Sequence, residues 1–212
     1  MLASRAKRIV CEQCLRPLSA CICRWITPTA HAMEVLVLQH PLEKHSAKGS
    51  ARLLHLSLSR SRMVIGEAFA ERALQALLRD PFELKAGTTK DEKRTILLYP
   101  QTTEDTSPPP ILTSEMLRDP SRLRLIVLDG TWRKSRKMLY QSPPLQHLPR
   151  LALQGLGASR YRIRKAHKPD QLSTLEATCA ALMQLECNTE KFQPLLNAFD
   201  GFVAQQLAYR DE

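Results

Sequence analysis

The stretch Leu123-Arg124-Leu125-Ile126-Val127-Leu128-Asp129-Gly130-Thr131-Trp132 decides the fold. Leu125 to Leu128 form a continuous apolar run, the pattern of a strand buried on both faces in a parallel sheet. The run stops abruptly at a carboxylate, a glycine, a hydroxyl and an indole. Open α/β sheets bind ligands beyond the carboxyl ends of their strands, so Asp129 is expected at the rim of a crevice. The competing reading makes Asp129 the N-cap of the segment that follows. From Gly130 to Pro169 there is no Asp or Glu, while the same span carries ten basic residues: Arg133, Lys134, Arg136, Lys137, Arg150, Arg160, Arg162, Arg164, Lys165 and Lys168. One carboxylate therefore meets a strongly positive segment.

Upstream, Glu34 to Gln39 (EVLVLQ) reads as a strand that empties into His40-Pro41-Leu42-Glu43-Lys44-His45, a polar loop fit to line the crevice. For His40 or His45 alone, an ordinary surface histidine is the rival reading. Lys48-Gly49-Ser50 leads into a helix over Ala51 to Leu58. A strand over Arg62 to Ile65, a helix over Ala68 to Leu78 and a strand over Thr95 to Tyr99, ending at Pro100, follow. Ile111 to Asp119 is expected as a short helix stopped by Pro120. This alternation predicts an α/β fold, a mostly parallel sheet flanked by helices.

Downstream, a helix from Trp132 to Tyr140 sets Arg133, Arg136 and Lys137 on one face. Arg150 to Leu153 gives a further short strand. In Ser159-Arg160-Tyr161-Arg162-Ile163-Arg164-Lys165 an extended chain would align three guanidinium groups, which suit bidentate phosphate contacts. Ser173-Thr174-Leu175-Glu176 has the form of a capping box opening a helix to Glu186. The last helix, Glu190 to Tyr209, gathers an apolar stripe and is read as a packing helix that could also serve a dimer.

Cys11, Cys14, Cys21 and Cys23 lie within thirteen residues. Four thiolates at such spacing can close a tetrahedron around a structural zinc, with a disulfide pair as the weaker account in a reducing compartment. The expected division is a zinc-binding arm over residues 1–30 and an α/β domain over 31–212. Arg5, Lys7, Arg8, Arg16 and Arg24 around the knuckle make it a candidate nucleic-acid contact. Cys179 and Cys187 are read as core thiols.

The 212 residues leave room for one main domain. A net charge of +10, concentrated in the acid-free span, points to a polyanionic partner rather than a merely solvated surface. No apolar run approaches the roughly 20 residues that span a bilayer. The basic N-terminus lacks the apolar core of a signal peptide, so a cytoplasmic protein is expected. There is no G-x4-G-K-[ST], G-x-G-x-x-G, H-E-x-x-H or G-x-S-x-G, which removes the standard phosphate loop, dinucleotide, zinc-protease and hydrolase sites.

Asp129-Gly130-Thr131-Trp132 followed by basic residues, the four-cysteine knuckle, His40-Pro41-x-Glu43, Ser159-Arg160-Tyr161-Arg162-x-Arg164 and Ser173-Thr174-x-Glu176 together resemble the DTW-domain family, over nearly the whole chain. That family is related in fold to the SPOUT class, an α/β sheet whose C-terminal part can be knotted. The resemblance implies transfer of the 3-amino-3-carboxypropyl group from S-adenosylmethionine to N3 of a tRNA uridine. It implies catalytic roles for Asp129, Thr131 and Trp132, and cofactor contacts at Pro100, Leu128, Gly130, Tyr161, Ser173, Thr174 and Glu176. Contacts to tRNA are expected at His40, Glu43, Lys48, Arg133, Arg136, Lys137, Arg160, Arg162, Arg164 and Lys165. The alternatives are a SPOUT-type RNA methyltransferase and a non-catalytic, zinc-stabilised RNA-binding protein. Monomer and homodimer both stay open.

Overall fold

The computed structural model describes residues 9–82, 93–101, 108–153, 159, 161 and 172–209. Five strands form one parallel sheet in the order β2-β1-β4-β3-β5. They are β1 (Glu34–Gln39), β2 (Ser61–Ile65), β3 (Arg94–Leu98), β4 (Leu123–Asp129) and β5 (Arg150–Leu151). Every residue of β1, and all of β4 but Leu128, is buried. That is the arrangement expected of central strands that read as unbroken apolar runs.

The helices are α1 (Ala51–Ser57), α2 (Glu71–Arg79), α3 (Ser114–Leu117), α4 (Trp132–Tyr140), α5 (Pro143–Gln146), α6 (Thr174–Leu185) and α7 (Gln193–Ala208). Alternate strand residues point to opposite faces. Val35, Val37, Leu125 and Val127 meet α1, α6 and α7 on one side. Leu36, Leu38, Leu97 and Ile126 meet α2, α4 and α5 on the other.

Expected and observed elements differ where caps intervene. The helix expected over Ile111 to Asp119 shrinks to α3, because Thr113 accepts from the Met116 amide and caps it after a proline run. The helix expected from Ala68 starts at Glu71, since Phe69 is drawn against Gly66, where a Cβ would meet its ring at 2.6 Å. Cys187 does not join the core. It is exposed, with a left-handed φ of 49°, and the Asn188 amide reaches the Met183 carbonyl at 3.1 Å, a helix-closing turn of the Schellman kind. Cys179 is buried as expected. The segment between β5 and α6, where a knot would be set, lies mostly outside the described residues.

The register of β1 on β4 pairs Glu34 with Arg124 at one end and Gln39 with Asp129 at the other. Arg124 is fully buried. Its Nε and Nη2 donate to Glu34 Oε2 at 2.9 and 2.5 Å, and its other donors reach the Leu77 and Asp80 carbonyls at 2.6 and 2.7 Å. Losing one partner of such a pair costs about 3–5 kcal/mol, because the other charge is left buried alone.

The cysteine arm is built into the body. Cys14 and Ile22 belong to the same apolar cluster as α6 and α7. Trp25 Nε1 donates to Gln205 Oε1 at 2.5 Å, and Gln205 Nε2 donates to the Cys21 carbonyl at 3.1 Å. The apolar stripe of α7 (Leu195, Phe199, Phe202, Val203) is buried within this cluster, so the dimer role considered for it has no surface there. No described helix is long and apolar enough to cross a membrane.

Candidate active site

Strand β1 continues through α1 to β2 on one side, whereas β4 continues through α4 and α5 to β5 on the other. The crevice between the carboxyl ends of β1 and β4 is therefore the topological switch point, where open α/β sheets hold ligands. Asp129 ends β4 there and is 5% exposed. Gln39 Nε2 donates to its Oδ2 at 2.8 Å, and Thr174 Oγ1 donates to its Oδ1 at 2.6 Å. Both carboxylate oxygens thus act as acceptors from fixed donors.

Capping of α4 falls to Thr131, whose Oγ1 accepts from the Lys134 amide at 3.3 Å. This answers the rival reading of Asp129: the cap lies two residues later, and the carboxylate is turned to β1 and α6. Gly130 sits in a tight place, since a Cβ there would lie 3.1 Å from Lys134 Cβ and 3.6 Å from His40 Cβ.

Trp132 is 53% exposed, which sets aside core packing as its role. Its ring stands edge-on to Tyr99, with centroids 5.5 Å apart. Together with Arg133, Arg136, Lys137, Leu139 and Tyr140 these rings line a cleft of about 730 Å³. Arg136 lies over the Tyr140 ring at 5.9 Å. Asp129 does not line this cleft; it points to the opposite face of the sheet, toward α6.

The loops after β1 and β2 each supply an acid that ties down α4. Glu43 accepts from Lys134 Nζ at 2.7 Å. Glu67 accepts from Lys137 Nζ at 2.9 Å and bonds His40 Nε2 at 2.8 Å. His40 Nδ1 accepts from the Leu42 amide, which leaves Nε2 as the donor toward Glu67. Lys137 first and His40 second hold the Glu67 carboxyl below its ordinary range. Two lysines of α4 are thus locally paired, and among the described residues no carboxylate pairs with Arg133.

The same loop is clamped from below. Arg16 donates to the Ala47 and Gly49 carbonyls at 2.6 and 2.8 Å, and Tyr161 OH donates to the Lys48 carbonyl. Arg16 is buried over the Phe202 ring, so it is not the surface nucleic-acid contact its place beside the knuckle suggested. Arg24 is exposed and stacks on Trp25. Lys48 itself is exposed. Tyr161 is buried against Phe199.

Ser173 and Glu176 form the capping box of α6. Glu176 also accepts from Ser159 Oγ at 2.9 Å, and the Leu175 amide donates to Ser50 Oγ at 3.3 Å. These contacts fix the α6 end that carries Thr174. The Pro100 carbonyl accepts from Arg150 Nη1 at 3.1 Å, and Leu128 is half-buried. Arg160, Arg162, Arg164 and Lys165 lie outside the described residues, as do Arg5, Lys7 and Arg8.

Gln39 and Glu67 were missed in the sequence. Gln39 carried a signal, a polar side chain ending an apolar strand just as Asp129 ends β4. Glu67 carried none, since its partners come from residues 27 and 70 positions away.

The four sulfurs of Cys11, Cys14, Cys21 and Cys23 all lie within 4.8 Å of one another. Cys11 and Cys23 are 3.6 Å apart, and Cys14 and Cys21 3.8 Å. A tetrahedron with zinc–sulfur bonds of about 2.3 Å has edges of about 3.8 Å, whereas a disulfide needs about 2.05 Å. The donor set and its spacing fit zinc, and with four sulfurs no position stays open for water.

The family profile described as the DTW domain matches residues 8–207. The protein "tRNA-uridine aminocarboxypropyltransferase 2" of Drosophila melanogaster is 30% identical over 205 residues, covering 95% of this chain and 76% of the fly protein. The protein of that name from Macaca fascicularis is 28% identical over 207 residues, 96% of this chain and 65% of the macaque protein. In Arabidopsis thaliana, "tRNA-uridine aminocarboxypropyltransferase A" is 28% identical over 150 residues, 64% of this chain and 52% of the plant protein. The chain thus spans about two thirds of the macaque protein and half of the plant one. No solved structure matches.

Proposed function

We propose, on the ground that the chain belongs to the DTW-domain family, that it is a tRNA-uridine aminocarboxypropyltransferase. It moves the 3-amino-3-carboxypropyl group of S-adenosylmethionine to N3 of a uridine. The observation that carries this reading is the Asp129 carboxylate, held by Gln39 and Thr174 at the switch point of the sheet. When bound, S-adenosylmethionine supplies an electrophilic γ-carbon and a sulfonium leaving group.

In the reaction a bond forms between N3 and the γ-carbon, and the bond from that carbon to sulfur breaks. Methylthioadenosine leaves with the electron pair. The N3 proton goes to Asp129 and from there to solvent, as general-base catalysis requires. Fixing the carboxylate at both oxygens keeps it aimed, which matters where attack must be in line with the departing sulfur.

Charge separates the donor from the body of the tRNA. A cleft lined by Arg133, Arg136 and Lys137 repels a sulfonium and attracts RNA, and the Trp132, Tyr99 and Tyr140 rings suit a base neighbouring the reacting uridine, whose own N3 has to reach Asp129 beyond the strand ends. The donor then belongs beside Asp129 and Thr174, with Pro100, Leu128 and Gly130 at the strand ends around it. Ser173 and Glu176 contribute by capping α6, Tyr161 by holding the Lys48 carbonyl, and Thr131 by capping α4. Glu43 and His40 serve RNA binding by ordering that helix. Arg160, Arg162, Arg164, Lys165 and Lys48 extend the basic surface in this proposal. In this proposal zinc held by the four cysteines secures the arm, and the protein works on tRNA in the cytoplasm.

The test is product analysis with purified protein, tRNA and S-adenosylmethionine. The expected result is a modified uridine by nucleoside mass spectrometry with equimolar methylthioadenosine. S-adenosylhomocysteine in its place would make the protein a methyltransferase, and tRNA binding without either product would make it a binding protein.

A further inference from the structure

We propose that Gln39 is a positioning residue of the transfer reaction, holding the Asp129 carboxylate in its reactive orientation. The inference rests on the transferase reading above and deepens it by giving the Gln39 contact a role of its own in the chemical step. Gln39 is the register partner of Asp129 across β1 and β4. It is 5% exposed, and its Nε2 donates to Asp129 Oδ2 at 2.8 Å. Its side chain interrupts a wholly buried strand at the one place where a polar group meets the crevice.

Nothing about the fold calls for an amide there. An apolar side chain would continue the alternation of Val35 and Val37 on the face that packs against α1, α6 and α7. The amide instead supplies one N–H to a buried carboxylate and cannot lose it with pH. Thr174, from the opposite side, supplies the second donor. With both oxygens fixed, rotation of the carboxylate about its own bond is blocked.

Several charged groups on the elements around Asp129 have partners of their own. Glu176 of α6 accepts from the Ser173 amide and from Ser159. Lys134 of α4 pairs with Glu43, and Lys137 with Glu67, which also holds His40 beyond the end of β1. Gln39 and Thr174 are two direct donors to this carboxylate, one to each oxygen. Removing the amide leaves an ionised carboxyl with one donor fewer, which disfavours its charged form.

The experiment compares wild type with Gln39→Met, which keeps length and flexibility and removes both hydrogen-bonding groups. Expected is a fall in kcat of about 100-fold, the size of effect that misplacement of a reacting group produces. KM for tRNA and for S-adenosylmethionine should stay unchanged, and the acid limb of the kcat–pH profile should move to higher pH. A conservative Gln39→Asn, with the amide drawn back by one methylene, should fall between the two and covers the case in which the first variant does not fold. Unchanged kcat and an unmoved acid limb in an active enzyme would overturn the proposal, as would a loss confined to KM. A wild-type protein that forms no modified uridine would instead overturn the transferase reading, and this proposal with it.

Discussion

Thr174 Oγ1 lies 2.6 Å from Asp129 Oδ1, so the first residue of α6 is joined to the last residue of β4. The two residues are 45 positions apart. The bond makes the start of a helix that caps itself through Ser173 and Glu176 into a wall of the crevice.

Thr174→Val keeps the shape and removes the hydroxyl donor. A hydrogen bond to a charged group contributes roughly 1.5–3 kcal/mol, so the transfer rate is expected to fall about 10- to 100-fold. Thr174→Ser should restore most of it. A valine variant as active as wild type would show that the carboxylate needs no donor from α6.

Gly201 lies under the ring of Trp25, where a Cβ would come within 2.2 Å of Cζ3. Alanine at an interior helix position ordinarily gains about 1 kcal/mol over glycine. Overpacking of this severity costs about 3 kcal/mol, so Gly201→Ala should lower the melting temperature by several degrees. Since the displaced indole bonds Gln205, the arm should loosen first in hydrogen exchange. A variant more stable than wild type would mean that helix propensity dominates.

The purified protein should carry one zinc per chain by elemental analysis, and Cys14→Ser should reduce it to a trace. Because Cys14 and Ile22 share the core with α6 and α7, chelation should lower the melting temperature of the whole protein by at least about 5 °C. A metal-free chain that melts at the wild-type temperature would contradict this.

His31 and His55 are both held below the ordinary histidine range, in each case chiefly by burial. His31 Nε2 accepts from the Arg60 amide, a bond only the neutral ring can make. On acidification the unfolded chain binds protons first, so the stability these groups contribute is complete above about pH 6.5 and is lost as pH falls below it. The melting temperature should drop between pH 7 and 5.5, and His31→Gln should flatten that slope. An unchanged slope would place the titration elsewhere.

Much of this was readable from residues whose environment is local. EVLVLQ and LRLIVLD announce buried strands by unbroken apolarity, four cysteines announce their own cluster, and Ser173-x-x-Glu176 announces a cap. What stayed hidden depends on which strands become neighbours. Strand order sets β1 against β4 across 90 positions, and only then does Gln39 meet Asp129 and Glu34 meet Arg124. Capping stays open as a rival reading of Asp129 because Asp129 and Thr131, two residues apart, are both good caps; Thr131 takes the cap and Asp129 turns to Gln39 and Thr174. The charge of α4 is overcounted for the same reason: Glu43 and Glu67 reach it from the loops after β1 and β2.

The most direct test of the account is single-turnover transfer by Asp129→Asn with saturating tRNA and S-adenosylmethionine. General-base catalysis contributes typically about 10²- to 10⁴-fold, so the rate should fall by that amount while tRNA affinity and the melting temperature stay near wild type. A variant that transfers within a few-fold of wild type would contradict Asp129 as the base.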